Sequence, residues 1–379
     1  AKELPGISPA VIRFMLPNTL FGKITDLGYE LPPLREHVDL LPMDEDLQEQ
    51  YDYADKSLLD QALKLAKDHK DSGGISTWFS TIRFRPASAF RDESASYYSK
   101  KAEYRIGVTL PAAISPNDRL AKERNMAQIL TENIQEGKKT LVFLEQTGTR
   151  DIRDRLIACM KADVPHAKIA TLSANSMSPA RRERWIKENA PKMDIMFVNP
   201  KLVETGLDLV MFSHLVFYEL PTSLYTLWQA MRRVWRLGQR YPVDCTFMVY
   251  EGTIEKVLLS RMGAKLKAAL LLYGDEAAGA IIESDPGDIM REIIEEALEG
   301  KSYKNLSELN EADGLIEGLF SQSGDKEVVV TESPMGSPIA QSPFMPVLAG
   351  IETINGPAQL SMFGDPVSAE DIVVRKRRR

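Results

Sequence analysis

Short apolar runs alternate with helical patterns through the middle of the chain. The runs are Thr140–Leu144, Lys168–Leu172, Asp194–Val198, His214–Tyr218 and Cys245–Tyr250. Helical patterns lie between them at Thr149–Ala162, Ser178–Asn189 and Ser223–Val234, with another from Thr253 to Leu272. Continuous apolar strands, each followed by a helix, predict a parallel sheet covered on both faces. Ser178-Pro179 supplies a capping hydroxyl and a proline at the first helical position. Open sheets of this kind bind ligands beyond the carboxyl ends of their strands. The loops after Leu144, Val198 and Tyr218 are therefore the first places to look for chemistry.

The flanks have a different grammar. Residues 1–136 mix short apolar patches with helical stretches: Glu45–Asp71 reads as an amphipathic helix pair and Ser76–Ser88 as a helix ending at Pro86. From Asp275 to Phe320 the chain carries 13 acidic residues against 3 basic ones, with weak helical patterns at Asp288–Leu298 and Leu306–Phe320. Residues 321–379 are rich in Ser, Pro and Gly and read as a disordered tail. The expected division is thus a mainly helical region (1–136), an α/β lobe (137–274), an acidic helical extension (275–320) and the tail.

Composition narrows the classes. Apolar residues at 44% and charged residues at 27% are ordinary for a globular protein, which excludes a wholly disordered or collagen-like chain. No apolar run is long enough to span a bilayer, and no signal peptide is apparent at the N-terminus. Two cysteines, Cys159 and Cys245, cannot build a disulfide framework, which points to a reducing, cytoplasmic setting. The net charge of −7 hides an asymmetry: residues 137–273 hold 21 Lys+Arg against 13 Asp+Glu, and the remainder 26 against 41. A basic middle between acidic flanks suits a polyanionic partner, and equally an unevenly charged solvated surface.

Two segments carry candidate chemistry. In Gln229-Ala-Met-Arg-Arg-Val-Trp-Arg-Leu-Gly-Gln239, Arg233 and Arg236 lie three apart and Gln229 one turn earlier, so a continuous helix would project them from one face. Paired guanidiniums suit a phosphate chain, because arginine stays charged and offers a planar fork of donors. Asn199 to Leu209 follows a strand and contains Thr205, Gly206 and Asp208: a hydroxyl, a permissive backbone and a carboxylate at the ligand edge. Each alone also fits a structural role, as a solubilising arginine helix or a turn glycine.

In this order and spacing the segments resemble the second RecA-like domain of superfamily-two helicases, specifically the Swi/Snf-type DNA translocases. Thr140-Leu-Val-Phe-Leu144 is similar to that family's fourth motif, Thr205-Gly-Leu-Asp-Leu209 to its fifth and Gln229–Gln239 to its sixth, Q-A-x-x-R-x-x-R-x-G-Q. Gly252-Thr-Ile-Glu255 resembles the segment opening the family's next helix. Leu31 through Tyr51 looks like the segment joining its two lobes, and Ile82-Arg-Phe-Arg-Pro86 like its helical protrusion. Departures are Val203-Glu204 for a usual glycine pair, Asp208 for the common asparagine and Trp235 for the common histidine, which suggest a divergent branch. The expected setting is a bacterial or mobile-element branch and a cytoplasmic, nucleoid-associated location.

The resemblance implies an α/β, RecA-like fold and the motor half of an ATP-dependent DNA translocase or helicase. It makes Arg236 the arginine finger, with Arg233 as second phosphate contact, Gln229 coupled to the same catalytic site, and Gly206 and Asp208 beside the nucleotide. Thr205, with Thr147, Gly148, Thr149 and Lys201, would hold the DNA backbone, the Thr147-Gly-Thr-Arg150 loop opening a helix whose free N–H groups suit a phosphate. No G-x-x-x-x-G-K-[ST] occurs in the sequence. ATP and Mg²⁺ would then be bound jointly with a missing N-terminal RecA-like lobe, and this chain alone would be inactive. Asp44-Glu-Asp-Leu47 is superficially like a magnesium-holding acidic pair, but it follows Pro42 with no phosphate loop before it and reads as a decoy.

In the tail, Gln359-Leu-Ser-Met-Phe363 resembles the clamp-binding pentapeptide of bacterial replication and repair proteins. Gln359, Leu360, Met362 and Phe363 would dock a sliding clamp from a flexible tether. A non-catalytic DNA- or clamp-binding adaptor that keeps the lobe as a scaffold is the rival reading. Trp78, Trp185 and Trp228 read as core or seam residues, and His166 and His214 as structural.

Overall fold

Ile195-Met-Phe-Val198 presents no polar side to water, so a strand made of it has to be covered on both faces. The computed structural model describes residues 31–146, 148–172, 178–203, 207–265 and 288–299. Within them lies a six-stranded, wholly parallel sheet. Its strands are β1 (Leu34–Leu41), β4 (Thr140–Phe143), β5 (Ile169–Leu172), β6 (Ile195–Val198), β7 (His214–Phe217) and β8 (Val243–Tyr250), in the order β1-β8-β7-β4-β6-β5. All residues of β4, β6, β7 and β8 are buried, whereas edge strand β1 alternates in exposure.

Phe143, Phe217 and Phe247 occupy paired register positions on three adjacent strands. Their rings stack at 4.6 and 5.2 Å, joining the strands on one face of the sheet. Burying each such side chain contributes about 1.5–3 kcal/mol. Helices α5 (Pro179–Asn189), α7 (Leu224–Arg232) and α8 (254–265) cover this face through Ile186, Leu227, Met231 and Leu258. Helices α3 (Ala121–Gln135) and α4 (Arg153–Asp163) cover the other with Met126, Leu130, Leu156 and Met160.

Before the lobe, α1 (Glu45–His69) packs on α2 (Gly73–Ser88), and an antiparallel hairpin of β2 (Glu93–Ser99) and β3 (Tyr104–Leu110) lies against both. Trp78 is fully buried there and donates from Nε1 to Asp55 Oδ1 at 2.9 Å. After the lobe, acidic α9 (Asp288–Leu298) pairs Glu296 with Arg261 and Glu292 with Lys265 of α8.

Several expectations need correction. Glu45–Asp71 is one helix to His69, because Leu47, Tyr51, Ala54, Leu58, Ala62 and Leu65 keep one unbroken apolar stripe. Pro86 does not end its helix: it lies in the last turn, where Arg85 binds the carbonyls of Arg91 and Pro111 and the Gln50 side chain. The segment read as joining two lobes contains β1, which pairs along its whole length with β8, so the sheet crosses the boundary drawn at residue 136. Alternating exposure hid this edge strand from a search for continuous apolar runs. Leu306–Phe320 and the tail lie outside the described residues.

Candidate functional site

The candidate residues separate to opposite ends of the sheet. At the carboxyl end, the loop after β4 is held from two sides. Glu145 N and Gln146 N donate to Glu219 Oε2 at 2.8 and 2.9 Å, and Asn199 Nδ2 donates to Glu145 O at 2.6 Å. The loops after β4, β6 and β7 are thereby braced together, and the chain leaves this brace directly into Gly148 and Thr149. Both are exposed, as is Lys201, whose N–H is capped by Asn199 Oδ1 at the start of α6 (Pro200–Val203). Lys201 Nζ comes within 3.9 Å of Glu145 Oε1. Arg150 then anchors the far side of the loop, donating from Nε to Glu93 Oε1 at 2.7 Å and from Nη2 to Thr81 Oγ1 at 3.2 Å.

One expectation about this loop fails. The helix opens at Arg153 and not at Thr149, and Asp151 Oδ1 already accepts Arg153 N at 2.9 Å. An internal carboxylate therefore occupies part of the helix N-terminus that was to hold a phosphate. Gly148 and Thr149 remain available as an exposed turn closed by Asp151 N to Gly148 O at 3.0 Å. Thr147, Thr205 and Gly206 lie outside the described residues.

Sequence reasoning missed Glu219. It is fully buried, and burial raises its carboxyl to about 7 against the opposing pull of the Gln146 amide and the Arg83 guanidinium. Its Oε1 has no hydrogen-bond partner among the described residues. The only signal available was a lone acidic residue directly after an apolar run. Nearby, Lys122 Nζ donates to both Glu255 oxygens at 2.7 and 2.8 Å and to Tyr218 O at 3.0 Å, all fully buried. Tyr218 and Tyr250 present their rings to the same ammonium at 5.5 and 5.1 Å. Glu255, singled out by its motif, thus ties α8 to α3 beneath the carboxyl end of the sheet.

The arginine segment sits at the amino end. Helix α7 runs back along the sheet and stops at Arg232, so Arg233 and Arg236 stand in the turns beyond it and not on one helical face. Trp235 Nε1 donates to Pro32 O at 2.7 Å, and Val243 N to Pro33 O at 2.9 Å, both just ahead of β1. Gln239 is buried: its Nε2 donates to Phe212 O and Val234 O, and its Oε1 accepts from Arg240 N and Tyr241 N. Gln239 N closes a turn on Arg236 O at 3.0 Å, with Gly238 at φ +98° in the third position, where an L side chain is strained. That turn leaves Arg236 exposed, beside exposed Leu237 and Tyr241. Arg233 and Gln229 are half-buried.

The two motifs meet here. Leu209 N donates to Arg233 O at 3.1 Å, which sets Asp208 next to the arginine segment. Asp208 is half-buried, and its Oδ1 has no hydrogen-bond partner among the described residues. A carboxylate there repels phosphate but accepts from a hydroxyl. Arg233, Arg236 and Asp208 thus stand at one end of the lobe, Arg236 exposed and Arg233 and Asp208 half-buried.

Asp44, Glu45 and Asp46 are accounted for locally: Asp44 precedes α1 and pairs with Arg124, and Glu45 and Asp46 place negative charge in the helix's first turn. His214 is a buried structural residue between Asn133 and Thr246, its pKa pushed down to about 4 by burial. Cys159 and Cys245 are both buried in the core.

Residues 121–238 match the family described as helicase conserved C-terminal domain. From α3 to the arginine segment the chain is thus similar to a helicase C-terminal domain. That domain takes in α3, which the α/β division at 136 had left outside. Helicase-like transcription factor CHR28 of Arabidopsis thaliana is 26% identical over 144 residues, 38% of this chain and 14% of that protein. DNA repair and recombination protein RAD54B of Homo sapiens is 39% identical over 71 residues, 19% of this chain and 8% of that protein. The chain therefore spans only a small fraction of these relatives. A crystal structure of the C-terminal part of the Fun30 ATPase domain superposes on 72% of this chain and all of its own with TM-score 0.47 and 16% identity.

Proposed function

We propose that this chain is the second motor lobe of a Swi/Snf-type ATP-dependent DNA translocase. The observation that carries the reading is the presentation of Arg236 on a turn built by Gln239 and Gly238, outside its own lobe's core. An arginine in that position is available to a triphosphate bound on a separate lobe, where it neutralises charge developing on the transferred group. Arg233 adds a second contact, Gln229 lies one turn before it, and the Asp208 oxygen accepts from a ribose hydroxyl. Among the described residues no group of acidic or histidine side chains gathers to hold a metal. In this reading Mg²⁺ arrives with ATP on the other lobe.

The carboxyl-end loops serve the DNA. Gly148, Thr149 and Lys201, with Thr147 and Thr205 beside them in sequence, contact phosphates without reading bases, as movement along any sequence requires. A sliding clamp bound through Gln359–Phe363 would add a tether; deletion of that pentapeptide should abolish capture by a purified clamp. The decisive measurement is DNA-stimulated ATP hydrolysis by this chain joined to the first lobe. Arg236→Ala should lower the rate by about 10³-fold and leave DNA affinity intact. Hydrolysis indifferent to that substitution favours the adaptor reading.

A further inference from the structure

The hairpin of β2 and β3 has one face that neither the lobe nor the helices cover. Register places Ser94, Ser96 and Tyr98 opposite Thr109, Gly107 and Arg105 on that outward face. All but Gly107 are exposed, Tyr98 by 48%, whereas Ala95, Ser99, Ile106, Val108 and Leu110 alternate inward and are buried. The outward face carries hydroxyls and a guanidinium and no carboxylate. Arg105 Nη1 donates to Ser96 Oγ at 2.8 Å and lies 6.0 Å from the Tyr98 ring, so the cation is oriented along the face. At the tip, exposed Lys100 and Lys101 extend it, with exposed Lys70 at the end of α1 alongside.

The hairpin is tied to the candidate DNA loop at its base, on the inward side and not through the strip itself. Glu93, the first residue of β2, binds Arg150, one residue beyond Thr149. Seven strand residues carry the face about 20 Å from that junction to the tip. Resting on the DNA reading above, we propose that this hairpin face is a second double-stranded DNA contact, continuing the backbone track that begins at Gly148 and Thr149. Alternate residues of a strand stand about 6.8 Å apart, the axial rise of two base pairs along one DNA strand. Ser94, Ser96 and Tyr98 thus offer hydroxyls at that interval along the face, and Arg105 and Lys100 supply the charge. Hydroxyls and cations are the side chains that hold phosphates without regard to sequence.

The test is the salt dependence of duplex binding by the full chain. Lys100→Ala with Arg105→Ala should weaken affinity by about tenfold at moderate salt and lower the slope of log affinity against log salt by about 2. Arg105→Lys should restore its share, and the thermal midpoint should stay put, because both side chains are exposed. An unchanged slope in the double variant, with Lys201→Ala still lowering it, removes the hairpin contact and leaves the DNA reading standing. Absence of duplex binding by the unsubstituted chain overturns both, and equal loss on an RNA duplex overturns the assignment to DNA.

Discussion

The two ends of the sheet present charge in opposite ways. At the carboxyl end the charged groups go inward: Glu219 and the Lys122–Glu255 pair are buried and brace loops whose exposed residues are small or flexible. At the amino end the support is a neutral amide, Gln239, and the charge goes outward on Arg236. A buried ion costs several kcal/mol of desolvation unless fully bonded, so the Lys122–Glu255 pair depends on its full set of hydrogen bonds. A turn held by backbone and amide contacts leaves its guanidinium free for a partner. The first end is built to hold a surface still, and the second to lend a cation.

This contrast can be broken most strongly at the buried pair. Lys122→Met strands the Glu255 carboxylate and should cost about 3–5 kcal/mol in urea unfolding. Adding Glu255→Leu should return most of it, whereas no amino-end substitution should approach that loss. Glu219 gives the next effect through pH. Its folded carboxyl lies near 7 against an ordinary 4.5, so its contribution to stability is full below about pH 4.5 and is lost as pH rises through 7. The loss reaches about 3 kcal/mol at most. Glu219→Gln should flatten that part of the curve, and an unchanged profile would show that the carboxylate is better solvated than its burial suggests.

Smaller effects separate presentation from support. Gly238→Ala meets no neighbouring atom but must adopt φ +98°, so it should cost about 1–2 kcal/mol and displace Arg236. The expected signature is a larger fall in ATPase turnover by the two-lobe assembly than in its DNA affinity. Lys201→Ala should be silent in urea and should lower the salt slope of DNA binding by about 0.9. Equal effects of these two variants on turnover and on binding would erase the division of labour between the ends.

The runs that form β4, β6, β7 and β8 were legible because burial on both faces favours apolar residues at most positions. The run of edge strand β5 was legible by its composition alone. The likeness to a helicase C-terminal domain was legible as ordered motifs, since Gln229, Arg233, Arg236, Gly238 and Gln239 are specific residues at fixed spacing. Edge strand Leu34–Leu41 and the hairpin were not, because half-exposed strands carry mixed residues and borrow stability from partners far along the chain. Nor was Glu219, whose meaning depends on two amides more than 70 residues away.

Sequence by itself determined which segments had to be buried and which segment held paired guanidiniums, because these follow from side-chain chemistry and local spacing. Only the tertiary structure decided that Gly238 takes a positive φ and that the arginines stand at the amino end, beyond the close of α7, while the exposed loops after β4 and β6 stand at the other. Chain direction through a parallel sheet sets those positions, and it emerges only when strands distant in sequence pair.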